Sequence, residues 1–265
     1  MSWLRIQSLV SRYTYLYTRS VPRVTEIFFW PIMDLLVWGY VTVYIQRLGS
    51  LSVPATAFMF LLGAMIFWDI LYRAQQSVTV SFLEDIWSRN LLNVFVAPVR
   101  VHEFVIATYL VGLIRIAITV VVIATLAYAL YSFNIFTLGI GLIPFIANLL
   151  LMGWALGMFT TGLIMRWGQA AEALAWGVPF LVQPIAAVFY PLDVLPRWLQ
   201  PVALCIPATH VFEGMRQVLR GGLNATTLFA AFALNAVYLL AGALFFRYMF
   251  QVARRKGLLA KLGTQ

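Results

Sequence analysis

"FYPLDVLPRWLQPVALCIPATH", Phe189 to His210, interrupts an otherwise oily chain. Pro191, Pro196, Pro201 and Pro207 fall within it. Proline lacks a backbone N–H and its ring clashes with the preceding helical turn, so no lipid-crossing helix runs through this stretch. Non-helical backbone at membrane depth survives only where protein or water covers it. The stretch reads as the core of a re-entrant helical hairpin over 191–220. Pro191 ends the span before it. Pro196 sits in the first turn of a short helix to about Cys205, where its missing N–H costs nothing. Pro207 ends that helix, and a second runs from about Thr209 to Gly221-Gly222. Glu213 and Arg216, three apart, can pair on it. A loop resting on the bilayer is the plainer alternative.

The rest of the chain supplies the membrane. Of 265 residues, 63% are hydrophobic and only 10% charged, against about 25% in soluble domains. Mean hydropathy is +0.90. Aromatic residues, 15% of the chain, suit interfacial belts. Spanning-length apolar stretches lie at about 24–45, 54–73, 103–131, 137–165, 171–190 and 226–250. Helices satisfy their own backbone in lipid and open sheets do not. The expectation is an all-α integral membrane protein with six transmembrane helices in a single transmembrane domain, 1–265.

Net charge is +9. In a soluble protein this would suggest nucleic acid. Here the cations gather at the ends of apolar stretches, which points to anionic lipid and to orientation. With both termini inside, the cytoplasmic segments hold Arg5, Arg12, Arg19, Arg23, Arg73, Arg89, Arg100, Arg166, Arg247, Arg254, Arg255, Lys256 and Lys261. The outer segments hold Arg47, Arg197, Arg216 and Arg220, a clear positive-inside bias. Residues 2–20 show no signal-peptide pattern. Arg5, Arg12 and Arg19 recur on one helical face, with Trp3, Leu9, Val10, Tyr13 and Leu16 covering much of the rest, as in a helix lying in the membrane interface.

Between the second and third spans, residues 74–100 read "AQQSVTVSFLEDIWSRNLLNVFVAPVR". Asp85, Arg89 and Asn93 sit four apart, and Asp before Arg is the favourable order for an i,i+4 pair. Leu83, Trp87, Leu91 and Val94 take the other face. Pro98 stops the helix. A short helix over 82–97 is expected, either docking a partner or packing on its own bundle.

Two stretches carry a family resemblance: "NLLNVFVAPVRVHEF" (90–104) and "AAVFYPLDVLPRWLQPVALCIPATHVFEGMR" (186–216). They resemble signature regions of the type-2 ATP-binding-cassette exporter permeases, the transmembrane subunits of drug, O-antigen and teichoic-acid type exporters. The resemblance extends to chain length, six spans and cytoplasmic termini. It implies that 82–97 is the coupling helix seated in a cleft of an ATPase subunit, with Glu84, Asp85, Arg89, Asn90 and Asn93 as contacts. It implies that 2–20 is an interfacial gate helix. It implies an outer gate at the hairpin, with Phe189, Tyr190, Pro191, Pro196, Trp198, Glu213 and Arg216 as candidates. Two permease copies, as a homodimer, and two nucleotide-binding ATPase subunits would assemble in a bacterial-type plasma membrane.

No ATPase site is written in this chain. A phosphate loop needs G-x-x-x-x-G-K-[ST], and Lys256 and Lys261 are the only lysines. ATP and Mg²⁺ are expected on the partner, and no cofactor or metal on this chain. One cysteine, Cys205, allows no intrachain disulfide. No catalytic constellation is written around His102 or His210.

Two charges lie deep in the spans. Asp34 and Arg115 each sit roughly 15 Å from the same side at 1.5 Å per residue, and an unpaired arginine there costs at least ~2.5 kcal/mol. They are expected to pair or to line a watery path. Asp69 and Arg73 are an i,i+4 pair. Glu172 favours a helix N-terminus. Gly153 and Gly157 allow a close helix contact. The leading reading is an ATP-driven exporter permease for an amphiphilic or lipid-linked cargo (glycan, lipid or drug), working by alternating access. A secondary transporter or channel would show an inverted repeat with broken helices. A lipid-acting membrane enzyme would need an interfacial metal or acid–base cluster. Neither pattern is seen.

Overall fold

The computed structural model describes residues 2–47, 55–132, 142–219, 221–222 and 224–258, and all regular structure among them is helical. In chain order these are α1 (Trp3–Thr18), α2 (Val21–Arg47), α3 (Ala55–Trp87), α4 (Leu91–Val96), α5 (Val101–Tyr131), α6 (Leu142–Trp167), α7 (Leu174–Ile185), α8 (Gln200–Leu204), α9 (Pro207–Leu219) and α10 (Ala225–Arg255). Turns of 3-10 helix lie at Gly168–Ala171 and Leu192–Val194. Arg220 and Lys261, and the first residues of the second and fourth expected spans, lie outside the described residues.

Among the described residues α2, α5, α6 and α10 are long and apolar enough to cross a membrane. This is a multi-pass membrane protein. Leu240, Leu244 and Tyr248 on α10, and Val37, Tyr40 and Tyr44 on α2, are exposed in the single chain, as surfaces facing lipid or a second chain are.

At the centre α3 packs on α6, and α6 on α10. Lipid supplies no hydrophobic drive between helices, so close approach has to come from small residues. A Cβ on Gly153 would lie 2.5 Å from the Leu71 carbonyl oxygen, and one on Gly157 would lie 2.8 Å from that of Gln75. The G-x-x-x-G face therefore meets α3 nearly backbone to backbone. Polar side chains fasten the same contacts. Gln75 Nε2 donates to Ala175 O (3.2 Å) and Gln76 Nε2 donates to it at 2.7 Å, fixing the start of α7 on α3. Asn235 Nδ2 donates to Asn148 Oδ1 at 2.8 Å, joining α10 to α6.

Three expectations are corrected here. The single helix over 82–97 is two pieces. α3 runs to Trp87 without a break after the second span, and a turn at 88–90 separates it from the six-residue α4. The reason is the backbone of Arg89, with φ 53°. Arg89 N donates to Ile86 O and Asn90 N to Asp85 O, both 2.9 Å. That is a Schellman-type C-cap, usually built on glycine. Second, the span over 171–190 holds only the 12 residues of α7 as α-helix. At 1.5 Å per residue this is roughly 18 Å, short of the ~30 Å hydrocarbon core. Pro179 and Pro184 lie inside it, and Ala187 turns the chain with φ 51°, before Pro191 is reached. Third, in the hairpin Pro201, not Pro196, occupies the first turn of the short helix, and Pro207 opens α9 rather than ending its predecessor.

Candidate functional site

α1 lies along the start of α5 and reaches the far end of α3, and a seam of charged groups joins them. The buried face of α1 is Ile6, Leu9, Tyr13 and Tyr17, at the helical spacing i, i+3, i+7, i+11. Asp85, fully buried, sits against it. Arg12 Nη2 donates to Asp85 Oδ1, and Tyr13 Oη donates to Asp85 Oδ2 at 2.7 Å. Burial first, and the facing carboxylate second, push the Tyr13 phenol well above its ordinary value. It holds its proton and serves as a donor.

Two further carboxylates continue the seam. Glu103 accepts from the Ser2 backbone N–H (2.7 Å) and from the Arg100 N–H (3.0 Å), so it tethers the N-terminal end of α1 and caps α5 together. Arg5 Nη1 lies 3.5 Å from it. Glu84, also buried, meets Arg23 Nε at 3.6 Å through one oxygen, while its Oε2 has no hydrogen-bond partner. Burial raises its carboxyl above the usual range, against the Tyr17 hydroxyl and Arg23, which lower it.

The expected ion pairs divide. Asp69 and Arg73 pair at 2.7 Å, and Arg73 Nη2 also donates to Ile27 O (3.0 Å), tying α2 to α3. Glu213 and Arg216 pair at 2.8 Å. Asp85 and Arg89 do not, because the helix ends between them and Asp85 turns to α1. Asp34 and Arg115 do not pair either. Arg115 Nη1 donates to Tyr17 Oη at 2.7 Å, with its guanidinium 4.2 Å from the centre of that ring. Asp34 lies exposed on α2, and the cation acting on it is Arg73. Matching depth put the two charges at one level but said nothing of azimuth around each helix.

The five residues proposed as partner contacts also divide. Glu84 and Asp85 are buried toward α1. Arg89 and Asn93 are exposed and Asn90 half-buried, with Asn93 Nδ2 donating to Asn90 Oδ1 at 2.6 Å. Trp87 is exposed beside them and stacks on Trp176, ring centres 6.5 Å apart. The elbow between α3 and α4 thus has an outward polar face and an inward ionic one.

At the opposite end of the bundle Arg216, nearly fully buried, gathers the irregular chain. Its Nη2 donates to Ala187 O and Val188 O (3.2 Å for the latter) and to Tyr190 O, and its guanidinium lies 4.2 Å from the centre of the Phe60 ring. Glu213 Oε1 accepts from both Arg216 and the Leu192 N–H (2.8 Å). Carbonyls freed where α7 ends are thereby satisfied without water. Phe189 stacks on Trp38 at 4.5 Å, and the Tyr190 hydroxyl donates to Pro184 O. Pro191 and Pro196 flank the 3-10 turn. Trp198 stands out, 75% exposed.

The family model described as ABC-2 type transporter matches residues 6–219. The chain belongs to the ABC-2 type transporter family. It is also 28% identical over 150 residues to ABC transporter G family member 20 of Dictyostelium discoideum, a match covering 55% of this chain. The chain spans about a fifth of that relative's length. An ABC-2 membrane domain is a transmembrane permease component, which accords with the absence of a phosphate loop here. Among the described residues of this ABC-2 chain no cluster of three or more His, Cys, Asp or Glu side chains could hold a metal.

Several working residues of this ABC-2 chain were not found from sequence. Tyr13 read only as apolar cover for α1, and Tyr17 was not singled out. Glu103 read only as a neighbour of His102. Gln75 and Gln76 read as loop. One signal was available: "AQQSVTVSF" keeps helical spacing with no turn residue, so it could have been joined to the second span.

Proposed function

We propose that this chain is the membrane-spanning subunit of an ATP-driven exporter, moving an amphiphilic or lipid-linked cargo outward by alternating access. ATP and Mg²⁺ bind a separate nucleotide-binding subunit. Two copies of that subunit act on two copies of this chain, in a bacterial-type plasma membrane with both termini cytoplasmic. The observation that carries the reading is the two-sided elbow. Arg89, Asn90 and Asn93 offer the partner a polar, solvent-facing turn. Behind it, Asp85 grips Arg12 and Tyr13 of α1 and Glu84 meets Arg23 at the start of α2, so a push on the elbow reaches the interfacial helix and α3 together. The hairpin gathered by Arg216 closes the opposite, outer end.

Co-purification with the cognate ATPase subunit tests it. Arg89→Glu with Asn93→Asp is expected to lower ATPase recovery about tenfold and stop export, while the chain stays folded by its thermal unfolding. Undiminished recovery and export in that variant would refute the elbow as the docking point.

A further inference from the structure

The corner where α1 hands over to α2 holds a cleft of about 590 Å³, lined by Tyr15, Leu16, Arg19, Ser20 and Arg23. The volume falls in the ordinary range for small-molecule sites, about 300–1,000 Å³. Two of the five lining residues are arginines and none is acidic. Charge of one sign gathered in a cleft concentrates the opposite charge there.

The corner uses up its acceptors and keeps its donors. Tyr15 O accepts from the Arg19 N–H (3.2 Å), Tyr17 O from the Ser20 N–H (3.1 Å) and Leu16 O from Arg23 Nη1 (3.1 Å). Arg23 Nε faces Glu84 at 3.6 Å, which leaves Nη2 uncommitted. The Arg19 guanidinium rests 5.4 Å from the centre of the Tyr15 ring and has neither an ion pair nor a hydrogen bond among the described residues. The Ser20 hydroxyl and the Val21 and Arg23 N–H groups also find no acceptor among them. Such a set of donors around one space fits an anion with several oxygens. Guanidinium forks match a phosphate, which can take two of them at once. A carboxylate, with two oxygens, would leave most of the donors idle.

The surroundings decide which phosphate. α2 is long and apolar enough to cross the membrane. Val21, 78% exposed, and Val24, 37% exposed, share a face of its first turns with the half-buried Phe28, at the spacing i, i+3, i+7. That face begins directly after Ser20, and Leu16 lines the cleft itself. A soluble anion makes no use of an apolar strip. An acyl chain does.

We propose that this corner binds the headgroup phosphate of one anionic phospholipid of the surrounding membrane, with Arg19, Arg23 and Ser20 on the phosphate and Leu16, Val21 and Val24 along the acyl chain. The lipid fastens the α1–α2 corner and is not cargo, so the proposal does not rest on ATP, a partner chain or export. The full chain is placed in nanodiscs of phosphatidylcholine with a rising share of phosphatidylglycerol, and native mass spectrometry counts the lipid retained. Retention of phosphatidylglycerol should saturate at one per chain. Arg19→Gln should weaken it about fivefold, as the loss of one juxtamembrane arginine does. Arg254→Gln removes the same charge from the exposed end of α10 and should leave retention unchanged. In discs of phosphatidylcholine alone Arg19→Gln should not move the unfolding temperature, because this guanidinium bonds nothing there. It should abolish the rise in that temperature that phosphatidylglycerol gives the unsubstituted chain. Inorganic phosphate and glycerol phosphate should not displace the lipid. Displacement by either would make the cleft a soluble-anion site and overturn the proposal. Equal weakening by Arg19→Gln and Arg254→Gln, or no preference for phosphatidylglycerol over phosphatidylcholine, would overturn it as well.

Discussion

Arg12 and Asp85 make an asymmetric pair, and the asymmetry fixes what each substitution should cost. Asp85 is fully buried, whereas the Arg12 side chain is 25% exposed. Removing one partner of a buried pair costs about 3–5 kcal/mol when the other charge is stranded. Arg12→Ala strands the carboxylate with Tyr13 as its remaining donor, so the loss should fall at the low end, about 3 kcal/mol. Asp85→Ala strands no charge, because Arg12 can turn to water. It leaves the buried Tyr13 hydroxyl without its acceptor, about 2 kcal/mol. The double variant has no stranded carboxylate and should lose only about 2–3 kcal/mol. The coupling between the sites is then about 2–3 kcal/mol, far outside the ~0.5 kcal/mol within which independent sites add. SDS-driven unfolding in mixed micelles, followed by a fluorophore on α1, reads all four corners of the cycle. Losses that simply add, or a costlier Asp85→Ala than Arg12→Ala, would refute the seam as the fastening of α1.

The same reasoning yields further expectations. Arg216→Ala should cost about 3 kcal/mol or more by freeing several buried carbonyls. Arg216→Lys should recover only part of it, since one ammonium cannot reproduce the planar fork; thermal unfolding with proteolysis near Ala187 checks both. Gly153→Leu should cost about 1–3 kcal/mol by prying α6 from α3, read as a lower unfolding temperature, while the same change at Gly177, where no atom lies within 4 Å of a Cβ, should be near neutral. Burial raises the Glu84 carboxyl above its unfolded value. Stability from this group is therefore full below the unfolded value and lost as pH rises through the folded one. Glu84→Gln should flatten that pH dependence of unfolding and raise stability at neutral pH.

What was legible in the sequence is what depends on counting along the chain. Apolar length gave the four spanning helices α2, α5, α6 and α10, glycine spacing gave a close-contact face on α6 without naming its partner, and short-range charge order gave Asp69–Arg73 and Glu213–Arg216. What was not legible depends on which way a helix faces or where its backbone turns. Arg89 takes a left-handed conformation without the glycine that advertises one, so the 82–97 helix looked continuous. Asp34 and Arg115 share a depth but not a face. Asp85 has an equally good partner four residues on and another 73 residues back, and only packing chooses between them. Pro191 looked like the stop of the fifth span because proline is visible, whereas the earlier turn at Ala187 rests on an arginine 29 residues away.

The unbroken course of α3 has a mechanical consequence. It is pinned midway, where Gly153 and Gly157 meet Leu71, Gln75 and Val78. At 1.5 Å per residue, the arm from Gln75 to Trp87 is roughly 18 Å and the arm from Gln75 to Phe60 roughly 22 Å. Trp87 stands at the elbow, and Phe60 lies beneath the Arg216 guanidinium. A rod pivoting on such a fulcrum swings its ends in opposite senses. A 1 Å push at the elbow would displace the aromatic ring under the hairpin by about 1.2 Å the other way, with no relay of intervening side chains needed.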